Sequence, residues 1–352
     1  MIAYIEYLLL AGFWWFYKLV PVMKAYAFGR GIGVAVFSLF SWSERVHVAV
    51  DNVVVAGVAK TRREARHIAR ESFGHFIGHI SEAIRASDII TRENWRNYVD
   101  IEMSAECQEM LFRPQCPLLL ATGHLGAWEA GITAVSSERP MFAVARLMDN
   151  PYIQQFLDRH NFRGGITILP KKHGFSGSLM RRWQSENGAL TILFDQYSSR
   201  GVLVPFFGQV VPVYTSPARI HLQTGAPILV GGFLRTGPLH YKLVTIGKAL
   251  VYKPTSNREK DIAEITANLI RRLEVLIRMA PEQYLWVHRR WRGIPVPSVP
   301  EKRVTTGIHQ QRSRRFAVNV NVRVFCAVRL GGKRALKKEN AIIAMDTLLL
   351  RN

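Results

Sequence analysis

The sequence predicts an α/β fold: a mostly parallel central sheet flanked by helices, with an N-terminal membrane helix. Two observations predict it. From residue 117 onward, short apolar runs of strand length alternate with segments of helical period, as in parallel sheets with helical crossovers. Before them, residues 2–20 form one long apolar run rich in aromatic residues. In such sheets, ligands bind at the carboxyl ends of the strands.

The N-terminal run is interrupted only by Glu6 and Lys18. About 20 apolar residues can span a bilayer, and Tyr, Trp and Phe favour its interface. No positive segment precedes the run and no small-residue cleavage site follows it, which argues against a cleaved signal peptide. Basic residues lie at the end of the run (Lys18) and after it (Lys24 and Arg30), which indicates that the body of the protein is in the cytoplasm. A buried core helix is the alternative.

Two further segments precede the sheet. A second apolar stretch, residues 31–42, is too short to span a membrane alone, so we expect it to lie against the membrane or the domain. Residues 61–85 have the period of an amphipathic helix, and Thr61 and Glu64 have the spacing of a capping box.

His75 and His79 lie one turn apart on this helix, and Glu82 lies another turn on. The group lacks the His-Glu-x-x-His pattern and a distant fourth ligand. A packed or solvated helix face is therefore favoured over a metal site. The three cysteines are too few and too scattered for a disulfide framework or a Cys-rich zinc site.

Strand and helix candidates alternate through the middle of the chain. The strand candidates are residues 117–122, 141–146, 165–169, 189–194 and 227–234, and the helix candidates between them are residues 151–161, 177–186 and 217–224. A last amphipathic helix, residues 256–279, opens with a capping-box spacing of Ser256 and Glu259 and ends before Pro281.

The net charge of +21, from 47 basic and 26 acidic residues, calls for an anionic partner such as nucleic acid, anionic lipid or an acidic protein. Pro295, Pro297 and Pro300 indicate a linker. Residues 316–330 alternate as a lone strand without a partner. The expected divisions are an N-terminal membrane anchor (residues 1–20), a central domain (residues 21–294) and a basic, poorly packed extension (residues 295–352).

A histidine and a carboxylate follow the first strand candidate of this region. His124 and Glu129 lie about 140° apart on a continuous helix, so they converge only if His124 lies in the turn and Glu129 in the next helix. Gly123 and Gly126 permit such a turn. A carboxylate that accepts a hydrogen bond from one ring nitrogen leaves the other as a base. No Gly-x-Ser-x-Gly elbow lies nearby, which points to a substrate hydroxyl as the nucleophile.

Five sequence blocks, taken in order, resemble the bacterial lipid A late acyltransferases, a branch of the lysophospholipid-acyltransferase-like families. The blocks are residues 123–129 (GHLGAWE), Arg146 with Asn150-Pro151, Asp195-Gln196 with residues 204–208 (VPFFG), Thr215 with residues 224–227 (TGAP), and residues 281–291 (PEQYLWVHRRW). The resemblance covers roughly residues 40–292 and implies a glycerol-phosphate acyltransferase-like fold. Tyr197-Ser198 departs from the pattern of many relatives, and no role is assigned to Tyr197.

The resemblance implies an inner-membrane enzyme with its catalytic domain on the cytoplasmic side. It would transfer a fatty acyl chain from acyl carrier protein to a hydroxyl of a Kdo-bearing lipid A precursor, without a metal or organic cofactor. His124 is then the general base, oriented by Glu129. Backbone N–H groups beside Gly126, or an arginine, would bind the oxyanion.

Both implied substrates, acyl carrier protein and the lipid A precursor, are anionic, and the basic body of the protein is suited to bind them. The candidate substrate-binding residues are Arg146, Arg163, Asp195, Arg289 and Arg290, with Lys171, Lys172 and Arg292 as further candidates for the anions. Arginine suits these groups because its planar fork binds them bidentately. Asp195 closes a predicted strand, and we expect it to hold Arg146 or the backbone beside the histidine rather than to act directly.

Two alternatives stay open. Transfer to another glycolipid, such as a phosphatidylinositol mannoside, shares the His–Glu motif, although residues 281–291 favour the lipid A branch. A basic membrane protein that binds nucleic acid would explain the charge, and residues 311–315 and 333–338 are basic clusters. No named nucleic-acid module occurs in the sequence, so we expect no nucleic acid.

Overall fold

The computed structural model describes residues 2–86, 88–145, 147–159, 166–170 and 177–302; residues 129, 130, 132, 133, 145 and 170 are described by backbone alone. Four helices come first: α1 (Ile2–Leu19), α2 (Val22–Leu39), α3 (Glu44–Val55) and α4 (Arg62–Ala86). Next come β1 (Val99–Glu102), α5 (Ala105–Phe112), β2 (Leu118–Thr122), α6 (Trp128–Ser136), β3 (Met141–Ala145), α7 (Pro151–Arg159), β4 (Ile166–Pro170), α8 (Gly177–Ser185) and β5 (Ala189–Leu193). The chain continues with β6 (Tyr197–Phe206), β7 (Gln209–Val213), α9 (Ser216–Thr224), β8 (Ile228–Gly237), β9 (His240–Thr245) and α10 (Arg258–Met279).

The predicted α/β fold is confirmed. Seven strands form one sheet in the order β1-β9-β8-β2-β5-β3-β4, and β6 and β7 form a separate antiparallel hairpin. Within the large sheet, β8 and β9 pair antiparallel and the other neighbours pair parallel. The central strands β2 and β5 are mostly aliphatic, and three of the five residues in each are buried, as is typical of strands in a parallel sheet.

Helix α1 is docked on the sheet domain through α7. The Trp14 ring packs edge-on against Phe156, with centroids 5.6 Å apart. The Asn150 side-chain amide donates to the Ala3 carbonyl (2.7 Å) and to the Glu6 carboxylate (3.0 Å). Its Oδ1 accepts the Tyr152 N–H at the start of α7. The Asn-Pro block therefore joins α1 to the domain.

Helix α2 differs from its prediction. The sequence predicts a membrane helix at residues 1–20 and a second stretch that is too short to span. In the described part of the chain, the single helix that is long and apolar enough to cross a membrane is Val22–Leu39, with 18 residues. The charges that interrupt α1 make contacts with the domain: Lys18 binds Asp88 at 2.6 Å, and Glu6 binds Asn150.

The predicted capping residue of α4 is confirmed, because Thr61 Oγ1 accepts the Glu64 N–H at 3.1 Å. The cap of α10 lies one residue later than predicted. Asn257, not Ser256, accepts the Lys260 N–H, at 3.0 Å.

The segment after the catalytic domain also packs on it. The carbonyls of Pro300 and Glu301 accept the N–H groups of Arg62 and Arg63, at 2.9 and 3.1 Å, at the start of α4. The first compact unit accordingly runs to Lys302, beyond the boundary at residue 294 that the sequence suggests. The expectations for residues 303–352, including the strand at 316–330, lie outside the described residues.

Candidate active site

Two adjacent strands deliver the central pair of the site. His124 follows β2 and Asp195 follows β5, and these strands run parallel with Thr122 opposite Leu193. Both residues therefore emerge from the same edge of the sheet, where open α/β sheets place their ligands. This is the position that the sequence predicts for His124.

The Asp195 carboxylate binds His124 twice. Its Oδ1 lies 2.8 Å from His124 Nδ1, and its Oδ2 accepts the backbone N–H of His124 at 2.9 Å. An ionised carboxylate only accepts hydrogen bonds, so Nδ1 carries the proton and the ring lone pair is on Nε2. The contact creates an oriented base at this edge of the sheet.

The environment keeps Asp195 ionised. The side chain is 3% exposed, whereas that of His124 is 22% exposed. Burial alone would raise the pKa of Asp195, but the charge and the hydrogen bonds of His124 outweigh it and lower the pKa to about 2. Burial, together with the nearby Asp195 charge, raises the pKa of the Tyr284 hydroxyl well above its usual value.

A second histidine lies behind the pair. His288 Nε2 accepts the backbone N–H of Tyr197 at 3.1 Å, which fixes the chain just after Asp195. Burial lowers the pKa of His288 to about 4, and the nearby Asp195 charge only partly offsets this effect. His288 is therefore neutral at pH 7.

The loop that carries His124 has no spare backbone donors between residues 124 and 127. The N–H of His124 is bound by Asp195, and that of Leu125 by the Gly123 carbonyl. Those of Gly126 and Ala127 bind the carbonyls of Gln283 and Phe233, at 3.0 and 2.7 Å. The oxyanion donors that the sequence places beside Gly126 are thus already engaged within the protein.

The C-terminal sequence block, residues 281–291, packs against the loop that carries His124. The Leu285 N–H donates to the His124 carbonyl at 2.9 Å, beside a bridge between Leu125 and Tyr284. Ser72 and Asn52, from α4 and α3, donate to carbonyls of the block at Tyr284, Trp286 and His288. Residues 281–291 therefore position the histidine loop.

The remaining candidate residues lie outside the described residues, on the surface, or buried in the domain. Glu129 is the second residue of α6, and its side chain lies outside the described residues, as do Arg146, Arg163, Lys171 and Lys172. Arg289 is on the surface and pairs with Glu44 at the start of α3. Arg292 lies over the Tyr197 ring at 4.7 Å.

Arg290 is 1% exposed. Its Nη1 donates to the Pro212 carbonyl at 2.9 Å, and its guanidinium lies 5.0 Å from the centre of the Phe206 ring. Burial lowers its pKa. These contacts join the C-terminal block to the β6–β7 hairpin. The substrate contact that the sequence suggests for Arg290 stays a prediction.

The histidines of α4 are packed inside the domain. His75 Nε2 lies 3.1 Å from the Gly126 carbonyl, and the His79 ring packs 4.5 Å from that of Trp128. Glu82 binds Arg235, the Tyr241 hydroxyl and the Leu239 N–H. Among the described residues, no group of three or more His, Cys, Asp or Glu side chains is placed to hold a metal ion.

Sequence reasoning did not identify the direct pairing of His124 with Asp195, or the contributions of Tyr284 and His288. The signal for Asp195 was present, because it closes the strand that neighbours β2. The order of strands in the sheet, which decides the pairing, is not readable from one sequence.

The described residues thus place an oriented histidine at the strand ends of an α/β sheet, an arrangement that can serve as a base toward a substrate hydroxyl. Residues 1–293 match the family described as bacterial lipid A biosynthesis acyltransferase, and the chain belongs to this family. It is 28% identical over 198 residues to the lipid A biosynthesis lauroyltransferase of Escherichia coli (strain K12). That match covers 51% of this chain and 58% of the relative's length. The family predicted from the sequence blocks is thereby confirmed.

Proposed function

We propose that this protein transfers a fatty acyl chain from acyl carrier protein to a hydroxyl of a Kdo-bearing lipid A precursor, at the cytoplasmic side of the bacterial inner membrane. The observation that carries the proposal is the His124–Asp195 pair, located where the fold places ligands in a chain of the lipid A acyltransferase family.

The chemistry needs one base. His124 Nε2 takes the proton of the acceptor hydroxyl as its oxygen attacks the thioester carbonyl carbon. The tetrahedral intermediate collapses, the carbon–sulfur bond breaks, and the thiolate takes the proton back from the imidazolium. The products are an ester and the free thiol of the carrier.

In this proposal Asp195 orients the base. It is buried, ionised and 2.8 Å from Nδ1, so it stabilises the imidazolium that forms during the reaction. Glu129 stays a candidate catalytic residue on the first turn of α6. In this proposal it does not hold His124 Nδ1, because Asp195 does so. Because residues 124–127 have no free N–H group, a side chain such as Arg146 is the candidate donor to the oxyanion.

Membrane association is supported by the exposed apolar surface. Most of the exposed large apolar side chains in the described residues lie in residues 2–42, and a surface of this kind marks an interaction site. Because α2 packs along α4 on one side and exposes Phe28 and Leu39 on the other, the α1–α2 pair is suited to embed in one face of a bilayer. The net charge of +21 suits anionic lipids, the acceptor phosphates and an acidic carrier.

The proposal is tested with purified protein, an acyl carrier protein thioester and the Kdo-bearing precursor. We expect His124→Ala to lower the transfer rate by about 10²–10⁴-fold, because the base is lost, while its thermal midpoint stays that of the wild type. Product mass, with one acyl chain added, is the readout. Near-normal transfer by His124→Ala would refute the mechanism. Lipid A of unchanged mass from cells without this protein would refute the assignment of substrate.

A further inference from the structure

The peptide unit between Gly126 and Ala127 is held from both sides. The Ala127 N–H donates to the Phe233 carbonyl at 2.7 Å, and the Gly126 carbonyl lies 3.1 Å from His75 Nε2. Gly126 has φ of 71°, and a Cβ there would overlap the Phe233 carbonyl oxygen. Turning this peptide plane would break both bonds and shift the start of α6, where Trp128 packs against the His124 ring.

His75 connects this peptide to helix α2. Its Nδ1 lies 3.1 Å from the Tyr26 hydroxyl, so a neutral ring that accepts from Tyr26 and donates to Gly126 satisfies both contacts. Burial, the largest effect, lowers the pKa of His75 to about 3, so the ring is neutral at pH 7. One imidazole thus joins α2 to the loop that carries His124.

Tyr26 is itself held in a narrow slot. The Arg235 guanidinium lies 3.4 Å from the centre of its ring, and a Cβ at Gly78 would come within 2.9 Å of Tyr26 Cε2. A Cβ at Gly33 would overlap the Phe73 carbonyl, so α2 and α4 approach through small residues. The position of Tyr26 is therefore set by the packing of the whole helix α2.

We infer that Tyr26 and His75 are positioning residues of the active site, which make the geometry of the His124 loop depend on the seating of helix α2. This inference rests on the proposed function for its kinetic test. It assigns α2 a part in the chemistry, since a shift of α2 along α4 is transmitted through Tyr26 and His75 to the peptide beside the base.

The kinetic test compares three substitutions with the wild type. We expect His75→Leu to lower kcat by about 10²-fold with little change in KM, because misplacing a catalytic group slows the chemical step. Tyr26→Phe should cost about tenfold, the value of one hydrogen bond. His75→Gln should recover most of the loss, because its amide presents an acceptor and a donor with a spacing similar to that of the imidazole nitrogens.

The matched control is Phe37→Leu. Phe37 is buried in the same α2–α4 interface, where it packs 5.3 Å from Phe73, but it does not reach the His124 loop. We expect Phe37→Leu to lower the thermal midpoint and to leave kcat near the wild-type value. If Phe37→Leu lowers kcat as much as His75→Leu, or if His75→Gln is no better than His75→Leu, the inference is overturned.

A readout without catalysis separates this inference from the proposed function. Amide hydrogen exchange of residues 124–128 should quicken by about tenfold in Tyr26→Phe and more in His75→Leu. It should stay unchanged in Phe37→Leu. Exchange that is unchanged in both Tyr26→Phe and His75→Leu overturns the coupling. Absence of transfer by the wild type, with the expected exchange pattern, overturns only the proposed function.

Discussion

At the scale of single residues, the site depends on one carboxylate that satisfies two donors. Asp195 accepts both the backbone N–H and the Nδ1–H of His124, so it fixes the turn and the ring tautomer together. Gly123 permits this approach, because a Cβ there would come within 3.1 Å of Asp195 Oδ2. The loop backbone and the base are therefore positioned by the same group.

This arrangement predicts a severe effect of Asp195→Asn. The amide oxygen must accept the backbone N–H of His124, so the NH₂ group faces Nδ1 and moves the ring proton to Nε2. We expect kcat to fall by about 10²–10⁴-fold in a folded protein, since the base is in the wrong tautomer. Steady-state transfer assays give the number. Glu129→Gln is the comparison, and a larger loss there than in Asp195→Asn would return the orienting role to Glu129.

The sequence predicts the position of His124 at the end of β2, because a glycine-flanked histidine after a buried strand has a local signature. The pairing of His124 with Asp195 has no such local signature in the sequence. Residues 124 and 195 are brought together by the neighbouring places of β2 and β5 in the sheet, which depend on packing across the whole domain. The burial of Arg290 is equally non-local, since it depends on the β6–β7 hairpin folding over the C-terminal block.

At the scale of elements, the N-terminal helices are part of the folded domain as well as an apolar surface. Trp14 and Tyr17 are buried in a cluster that includes Ile84 of α4 and Phe156 of α7. An apolar run in a sequence predicts such a helix, but its composition does not distinguish the face that packs on protein from the face that meets lipid. One face of α1 packs on the domain. For this reason a helix predicted as an anchor also makes specific polar contacts with Asn150 and Asp88.

Removing residues 2–20 should therefore destabilise the domain and only partly release it from membranes. The loss of the Trp14 and Tyr17 side chains from the cluster costs about 3–5 kcal/mol for each large aromatic residue, and α2 still presents apolar residues to lipid. Thermal melts in detergent and vesicle flotation measure the two effects separately.

A full-length control has Leu8 and Leu9, which are exposed on α1, both replaced by glutamine. We expect this variant to bind vesicles less tightly and to melt at the wild-type temperature. An unchanged melting temperature in the truncated chain would show that α1 contributes nothing to the fold.

At the scale of the whole molecule, buried neutral histidines make stability depend on pH. His75 and His288 have folded-state pKa values of about 3 and 4, whereas an unfolded histidine titrates near 6.5. The unfolded chain then binds more protons between these limits. Stability is fully present above pH 6.5 and is lost as the pH falls toward 4.

We expect the thermal midpoint in detergent to drop steadily from pH 6.5 to pH 5. His75 alone accounts for roughly 2 kcal/mol over that interval, at about 1.4 kcal/mol per pH unit. In His75→Gln the slope of stability against pH should be smaller by the contribution of one proton. Equal slopes in His75→Gln and the wild type would contradict the assignment.

The first compact unit of the chain ends at Lys302. Residues 303–352 carry 11 basic and two acidic residues, a net charge of +9. A chain ending at residue 302 keeps the Pro300 and Glu301 carbonyls that cap α4, so we expect wild-type stability and kcat in detergent. It should bind anionic vesicles more weakly, because basic residues contribute about 1 kcal/mol each near such a surface.

A chain ending at residue 294 loses both caps at the start of the helix that carries His75. We expect it to be less stable than the 302-residue chain by about 2 kcal/mol, at roughly 1 kcal/mol for each lost hydrogen bond. Denaturant midpoints of the two chains, measured in the same detergent, decide between this boundary and the one suggested by the proline-rich sequence. Equal midpoints would place the end of the domain at residue 294, and a loss of kcat in the 302-residue chain would place it within the basic extension.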